Sequence, residues 1–344
     1  MASGVDALYL SGRAAVPQDL LDRLEEARSA SDQDARVPTV LLGGPEFVVA
    51  PHGWGKYRFR LAHPNGLVGI TPSQHLPALR IQPRAEFLHG VGPEQAVRWF
   101  HDVLGAGCGP VHFTVSRLDL FADWQGWALD WEDRERFVCR ADAIALRGER
   151  GEMTGWEFGR RSTKTVCARI YDKTLQVGRE GIDYWFDIWG DRFDSESSVL
   201  RVEFEFGREG LRDFGITTPE DAIAGAGGLW AWATGEWLSY RSPTDDQTRS
   251  RWPVAAEWRQ VGRAAVVGEA HGLERMAASH RQGELRTLAP GLVGYVASFA
   301  ALVETVDIPD TCRELAAFLR RFGGWSEVSF ADRVQEKRQR RALA

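Results

Sequence analysis

The sequence predicts an α+β protein: an antiparallel sheet body with the pattern of an internally duplicated β-α-β-β-β unit, followed by an α-helical C-terminal region. Three observations carry this. Up to about residue 207, short runs alternate apolar and polar residues, with turn signals between them. The order strand, helix, three strands occurs twice, ending in similar phrases, Leu79-Arg-Ile81 and Leu200-Arg-Val202. Beyond that point the apolar spacing becomes helical. The expected division is residues 1–106, 107–210 and 211–344.

In order, Ala7–Gly12 reads as a strand, and Pro17 with Leu20, Leu21 and Leu24 as a helix start. Strand-like runs follow at Phe47–Ala50, Tyr57–Ala62, Leu67–Thr71 and Leu79–Leu88, with Pro64-Asn-Gly66 as a hairpin turn. Pro93–Leu104 reads as a helix. The second half repeats the order: strand Val111–Asp123, helix Trp131–Ala141, then strands Trp156–Gly159, Val166–Lys173 and Val199–Phe206. Thr218-Pro-Glu-Asp221 marks a helix N-terminus, and Ile308, Cys312, Leu315, Leu319 and Phe322 share a helical face before Gly323-Gly324.

The 344 residues are 44% hydrophobic and 26% charged, which argues against disorder over most of the chain. No apolar run approaches the roughly 18 residues of a membrane span, and the N-terminus lacks a signal-peptide pattern. Scattered Cys108, Cys139, Cys167 and Cys312 read as buried thiols of a cytoplasmic protein. A net charge of −6 argues against a protein that coats nucleic acid by global charge but does not exclude a local basic site.

Three strands carry the chemistry. Residues two apart on a strand share a face. Arg117, Asp119 and Asp123 therefore share one face of the first strand, Arg169, Tyr171 and Lys173 of the second, and Arg201, Glu203 and Glu205 of the third. If the strands are neighbours, one sheet face holds two carboxylate pairs and a tyrosine flanked by cations. Carboxylate oxygens suit a hard divalent ion such as Mg²⁺ or Mn²⁺. A phenol, with a free pKa of about 10, is activated where cations or a metal favour the phenolate. This arrangement suits attack by Tyr171 on a phosphodiester. The same alternation also occurs in solvated sheet faces laced by ion pairs.

Arg117-Leu-Asp-Leu-Phe-Ala-Asp123, Gly155-Trp-Glu-Phe-Gly159, Ala168-Arg-Ile-Tyr-Asp-Lys173 and Leu200-Arg-Val-Glu-Phe-Glu205 resemble, in that order, the motifs of the Rep_trans replication initiation factor family of rolling-circle initiators. The resemblance covers about residues 110–210, more loosely to about 260. It implies nicking of one strand at origin DNA, a 5′-phosphotyrosine and a free 3′-OH. It implies Tyr171 as nucleophile and Asp119 and Glu203 as metal ligands, with Asp123, Glu157 and Glu205 as further acids. It also implies a homodimer and a host helicase as partners. Where the family often carries an acid after the Tyr-Asp-Lys phrase, Gln176 stands here, with Glu180 as a substitute. A non-catalytic DNA-binding regulator on the same fold is the alternative. Arg160, Arg161 and Lys164 in the turn before the tyrosine strand, with Arg117 and Arg201, are the expected phosphate contacts. Trp185, Phe186 and Trp189 are candidates to stack bases or to pack, and Arg249, Arg251, Arg259 and Arg263 among Trp252 and Trp258 are a candidate second DNA surface.

Overall fold

A computed structural model describes residues 1–31, 38–73, 75–128, 130–149, 151–161, 166–267, 292–323, 329–331 and 334. The fold is α+β, with a large antiparallel sheet and a C-terminal α-helical region. The chain divides into two compact units, Met1–Arg275 and Met276–Ala344. The division therefore falls later than the expected 210/211 boundary. Helices of residues 219–262 bury Leu229, Trp230, Trp232 and Trp258 in the first unit's core.

The first unit is built on an eleven-stranded sheet. Its strands are β1 (Ser3–Arg13), β2 (Thr39–Leu41), β3 (Glu46–Val49), β4 (Phe59–His63), β5 (Gly66–Ile70), β6 (Leu79–Pro83), β7 (His112–Gln125), β9 (Ile144–Glu149), β10 (Glu152–Phe158), β11 (Val166–Asp172) and β12 (Val199–Gly207). The spatial order is β2-β3-β4-β5-β6-β1-β7-β12-β11-β10-β9, antiparallel throughout. It reads outward from the central β1–β7 pair in the same way on both sides. The last strand of each half, β6 or β12, returns to pair with its first. Short β8 (Phe137–Cys139) pairs separately with β13 (Leu238–Tyr240).

One sheet face is apolar because alternate residues are. Leu8, Leu118, Leu120, Val202, Phe204, Ile170 and Trp156 are buried there. Helices close it: Phe204 meets Trp230 edge-on at 5.4 Å, and Phe206 lies 6.5 Å from Trp232. In the first half, the helix Pro93–Cys108 lays Phe100 against Gly66 of β5, where a Cβ would come within 2.9 Å of the ring. Burial of such side chains contributes about 1.5–3 kcal/mol each.

Three local expectations differ. Trp131–Arg136 is a 3₁₀ turn capped by Asp130, not a helix to Ala141, because Phe137–Cys139 is drawn into pairing with β13. The run Leu79–Leu88 breaks at Pro83, after which Ala85–Val91 is helical. Residues 184–189, an aromatic-rich run in which the sequence pattern predicts a loop, form a short helix that buries Trp185 and Trp189. Among the cysteines, Cys108 and Cys167 are buried, Cys139 is half-buried and Cys312 is exposed.

The second unit, in its described residues, contains a helix over 292–302 and the helix Ile308–Gly323, with Phe299 and Phe318 rings 5.5 Å apart. Among the described residues no helix is long and apolar enough to cross a membrane. The basic tail residues Lys337, Arg338, Arg340 and Arg341 lie outside the described residues.

Candidate functional site

The three charged strands are neighbours, in the order β7-β12-β11. Register places Tyr171 opposite Arg201 and Arg201 opposite Asp123; one row on, Glu157, Arg169 and Glu203 are level; a further row pairs Glu205 with Asp119. All the side chains singled out on β7, β10, β11 and β12 thus project from one sheet face, opposite the apolar core.

Tyr171 is the centre of the outer part of this face. Its hydroxyl donates to Glu203 Oε2 at 3.1 Å. Arg169 is ion-paired to Glu203 Oε1, and its guanidinium lies 5.5 Å from the Tyr171 ring centroid. Glu203 is buried, so each of its oxygens has one of these partners. Gly155 on β10 lets β11 approach at Tyr171: a Cβ there would stand 2.7 Å from the Ile170 carbonyl and 2.9 Å from Tyr171 Cβ. Gly159, at φ +81°, ends the same strand. Tyr171 lines a pocket of about 220 Å³ with Arg147, Arg169, Arg179, Glu157 and Gln176 among its walls. Arg147 and Arg179 carried no motif signal, because they come from the edge strand and a helix outside the matched phrases.

Lys173 is not a strand residue. It begins the helix Lys173–Glu180, whose N-cap Asp172 accepts from the Leu175 amide at 2.8 Å. Its ammonium lies 6.0 Å from the Tyr171 ring centroid and 4.8 Å from that of Trp185, and donates to Gln176 Oε1 at 2.9 Å. Gln176 in turn donates to Glu180 at 2.9 Å. The amide at position 176 therefore links the lysine to Glu180. Burial, with Arg201 nearby, pushes the Lys173 pKa down to about 8.

The expected activation of the phenol by cations does not hold in the resting site. Burial and then the Glu203 carboxylate push the Tyr171 pKa well above its ordinary value, outweighing Arg201 and Arg169. The phenol is held protonated, with its proton directed at a carboxylate.

Two expected contacts are corrected. Arg201 is fully buried. Its guanidinium lies between the rings of Phe121 and Trp185, at 4.0 and 3.9 Å. It bonds Asp123 through two nitrogens, at 2.7 and 2.8 Å, and Asp6 through the third, at 2.7 Å. With both faces and its edge covered, it has no surface to offer DNA. Asp123 is equally committed, since Trp189 Nε1 donates to it at 2.8 Å. Trp185 and Trp189 are buried and pack rather than stack on bases. Asp6 was missed by the motif reading. It sits at a register shift between Val5 and Ala7 of β1, a bulge that brings its side chain to this face. Against its burial, Arg201, His89 and Lys173 hold Asp6 well below the usual carboxylate range.

The remaining acids form a buried group. Arg117 pairs with Asp119 and with Glu205, the latter at 2.8 Å, and Arg161 lies 3.3 Å from Glu205. Burial and the carboxylates of Glu203 and Glu205 outweigh Arg117 and push the Asp119 pKa up to about 8. Three crowded carboxylates are the donor chemistry a divalent ion takes, and a second positive charge would ionise Asp119. Among the described residues, however, no three His, Cys, Asp or Glu side chains are grouped to hold a metal ion, and an arginine pairs with each of Asp119, Glu203 and Glu205. Glu157 is paired with Arg147 at 2.9 Å. Arg160 and Arg161 are exposed in the turn after β10, and Lys164 lies outside the described residues. In the candidate second DNA surface, Trp258 is buried, Arg249 pairs with Glu135 at 2.8 Å and Arg251 with Asp246 at 3.8 Å.

No protein-family model matches the chain, and no curated protein sequence does. Among solved structures, it is similar to a rolling circle replication initiator protein from Geobacillus stearothermophilus, at 14% identity and a TM-score of 0.46, over 76% of this chain and 94% of the other. That likeness is too loose to transfer residue roles.

Proposed function

We propose that the chain is a DNA strand transferase that nicks and religates one strand, with Tyr171 as nucleophile. The observation that carries this is the Tyr171 hydroxyl, held 3.1 Å from Glu203 Oε2 in an arginine-lined pocket. Tyr171 Oη attacks a backbone phosphorus as its proton passes to Glu203. The P–O3′ bond breaks, the 3′-oxygen takes a proton from water, and the 5′ side stays attached as a phosphotyrosine. The reverse attack by a 3′-OH rejoins the strand without an outside energy source. Arg169 orients Glu203, and Lys173 offsets the charge that develops on phosphate oxygens.

Asp119, Glu205 and Glu203, not grouped for a metal as they stand, are the acids that would hold Mg²⁺ or Mn²⁺ once Arg117 and Arg169 release them. The ion, when bound, supplies positive charge to the phosphate. On this reading origin DNA is the substrate, and the homodimer and host helicase implied by the motif resemblance are its partners. A non-catalytic DNA-binding regulator is the second reading. It is favoured by the arginine pairing of Asp119, Glu203 and Glu205.

The test is covalent capture. Labelled single strands tiling the origin region are incubated with the protein and Mg²⁺ or Mn²⁺ and run on a denaturing gel. A shifted species absent from Tyr171→Phe supports strand transfer; no adduct on any tile, with tight binding, leaves the regulator.

A further inference from the structure

Beyond the tyrosine pocket, the same sheet face opens into a second cleft of about 440 Å³ where the two halves of the sheet meet. Its walls come from both halves: Tyr9 from β1, Arg80 from β6, Arg117 from β7, Arg208 just after β12, Arg161 from the turn after β10 and Tyr57 from the loop before β4. Four arginines face one carboxylate, Glu205, in a chain whose net charge is −6.

The arginines are not equivalent. Arg117 and Arg161 reach Glu205. Among the described residues, neither Arg80 nor Arg208 is in an ion pair. Arg80 lies flat over Trp54, 3.8 Å from the ring centroid. Arg208 donates to Ser11 Oγ at 2.6 Å. Burial, with Arg212 nearby, pushes the Arg208 pKa down, outweighing Tyr57 and Glu209.

The aromatic wall is built, too. Trp54 and Tyr57 bridge across a tight turn and rest on Gly69 of β5, where a Cβ would meet the Tyr57 ring at 3.0 Å and Trp54 at 3.3 Å. Tyr9 is held from behind by Gln82 Nε2 at 2.8 Å and carries the Arg117 guanidinium 4.9 Å above its ring. Tyr9, Trp54 and Tyr57 are half-buried, and arginines without an ion pair beside partly accessible aromatic rings are the elements that hold a single strand, by phosphate contact and base stacking. Three strand spacings and six residues of rise separate Tyr9 from Tyr171, roughly 14 Å across the sheet and 20 Å along it. One strand can span both.

We propose that this cleft is a single-stranded DNA subsite, in which Arg80 and Arg208 hold backbone phosphates and Tyr57 stacks a base, several nucleotides from the bond at Tyr171. The proposal rests on the strand-transfer reading for its substrate, and its test does not depend on cleavage. The full chain carrying Tyr171→Phe is titrated into labelled oligo(dT) by fluorescence anisotropy at several salt concentrations. The paired substitutions Arg80→Ala and Arg208→Ala should weaken binding about tenfold or more and flatten the salt dependence of log Kd by about 1.4, at ~0.7 per single-strand phosphate. The paired lysine substitutions should keep the slope. Tyr57→Ala should weaken binding about tenfold and leave the slope unchanged.

Unchanged affinity and slope in the alanine pair would overturn the proposal. So would a lysine pair that behaves like the alanine pair while its thermal midpoint matches the parent. Competition by inorganic phosphate or thymidine monophosphate at the oligonucleotide's own concentration range would mark a mononucleotide pocket instead, and would also overturn it. Failure of covalent capture by the unsubstituted chain bears on strand transfer alone.

Discussion

Two tyrosines stand on one sheet face, and their hydroxyls are partnered in opposite senses. Tyr171, in the second half, donates to the carboxylate of Glu203. Tyr9, in the first half, accepts from the amide of Gln82. Burial raises the pKa of both phenols. Only Tyr171 has a base placed to take its proton. Its arginine neighbour Arg169 is ion-paired to that carboxylate, whereas in the Tyr9 cleft Arg80 lies over Trp54 and Arg208 donates to Ser11, neither in an ion pair among the described residues. One sheet face thus holds a phenol that donates to a carboxylate at one end and a phenol that accepts from an amide at the other, and the difference lies in which residue type stands on the neighbouring strand.

The sharpest way to break this comparison is exchange at the phenols. Tyr171→Phe should lower adduct formation on the order of 10⁴-fold or more, read on denaturing gels. Tyr9→Phe should still form the adduct; an adduct lost in the Tyr9 variant and kept in the Tyr171 variant would invert the assignment. Next, Glu203→Gln should slow the single-turnover rate by about 10²–10⁴-fold, with binding retained. A rate within twofold of the parent removes Glu203 as the proton acceptor.

A smaller effect probes the close approach of β10 and β11 at Tyr171. Gly155→Ala forces the β10 and β11 strands apart or displaces Tyr171, at about 1–3 kcal/mol in denaturant unfolding, together with a slower adduct rate. Stability lost with the rate unchanged would separate packing from positioning. The smallest effect is a pH dependence. The folded-state pKa of Lys173 lies at about 8, below its ordinary 10.5, so its charge penalises folding below about pH 8. That penalty fades as pH rises toward 10.5. Compared with Lys173→Met, the parent should therefore gain about 1–2 kcal/mol between pH 7 and pH 10, seen as a narrowing difference in thermal midpoint. A constant difference would show that the lysine is solvated.

The strands of the candidate site were legible because charge alternates with Leu118, Leu120, Ile170, Val202 and Phe204 at a strict period of two. Alternation tells which side chains share a face, and the pairing of three such strands then follows from the need to bury the other face. It does not tell what covers the charged face. Arg201 and Asp123 looked like their neighbours in sequence, yet Trp185 and Trp189 fold over them and turn an expected surface into a small core. In the run Tyr184-Trp-Phe-Asp-Ile-Trp189 the one polar residue, Asp187, sets too little periodicity for a helix to be read. Asp6 escaped notice because its role depends on a bulge, which alternation cannot reveal. Phe137–Cys139 reads locally as the end of a helix and becomes a strand only through a partner about a hundred residues away.

The central β1–β7 pair has a consequence for how the chain could be divided. Each half closes on its own first strand, so a cut at Gly109-Pro110 would leave two fragments, each missing the partner of one long strand and the side chains that cross the seam, such as His89 against Trp185 and Arg208 on Ser11. The exposed edges, 11 residues on one side and 14 on the other, would make either fragment prone to aggregate alone. Each fragment is also the other's complementary edge, and Arg201 of one would reach Asp6 of the other across the seam. The fold is thus suited to split-protein complementation, with reassembly placing both tyrosines on one continuous surface.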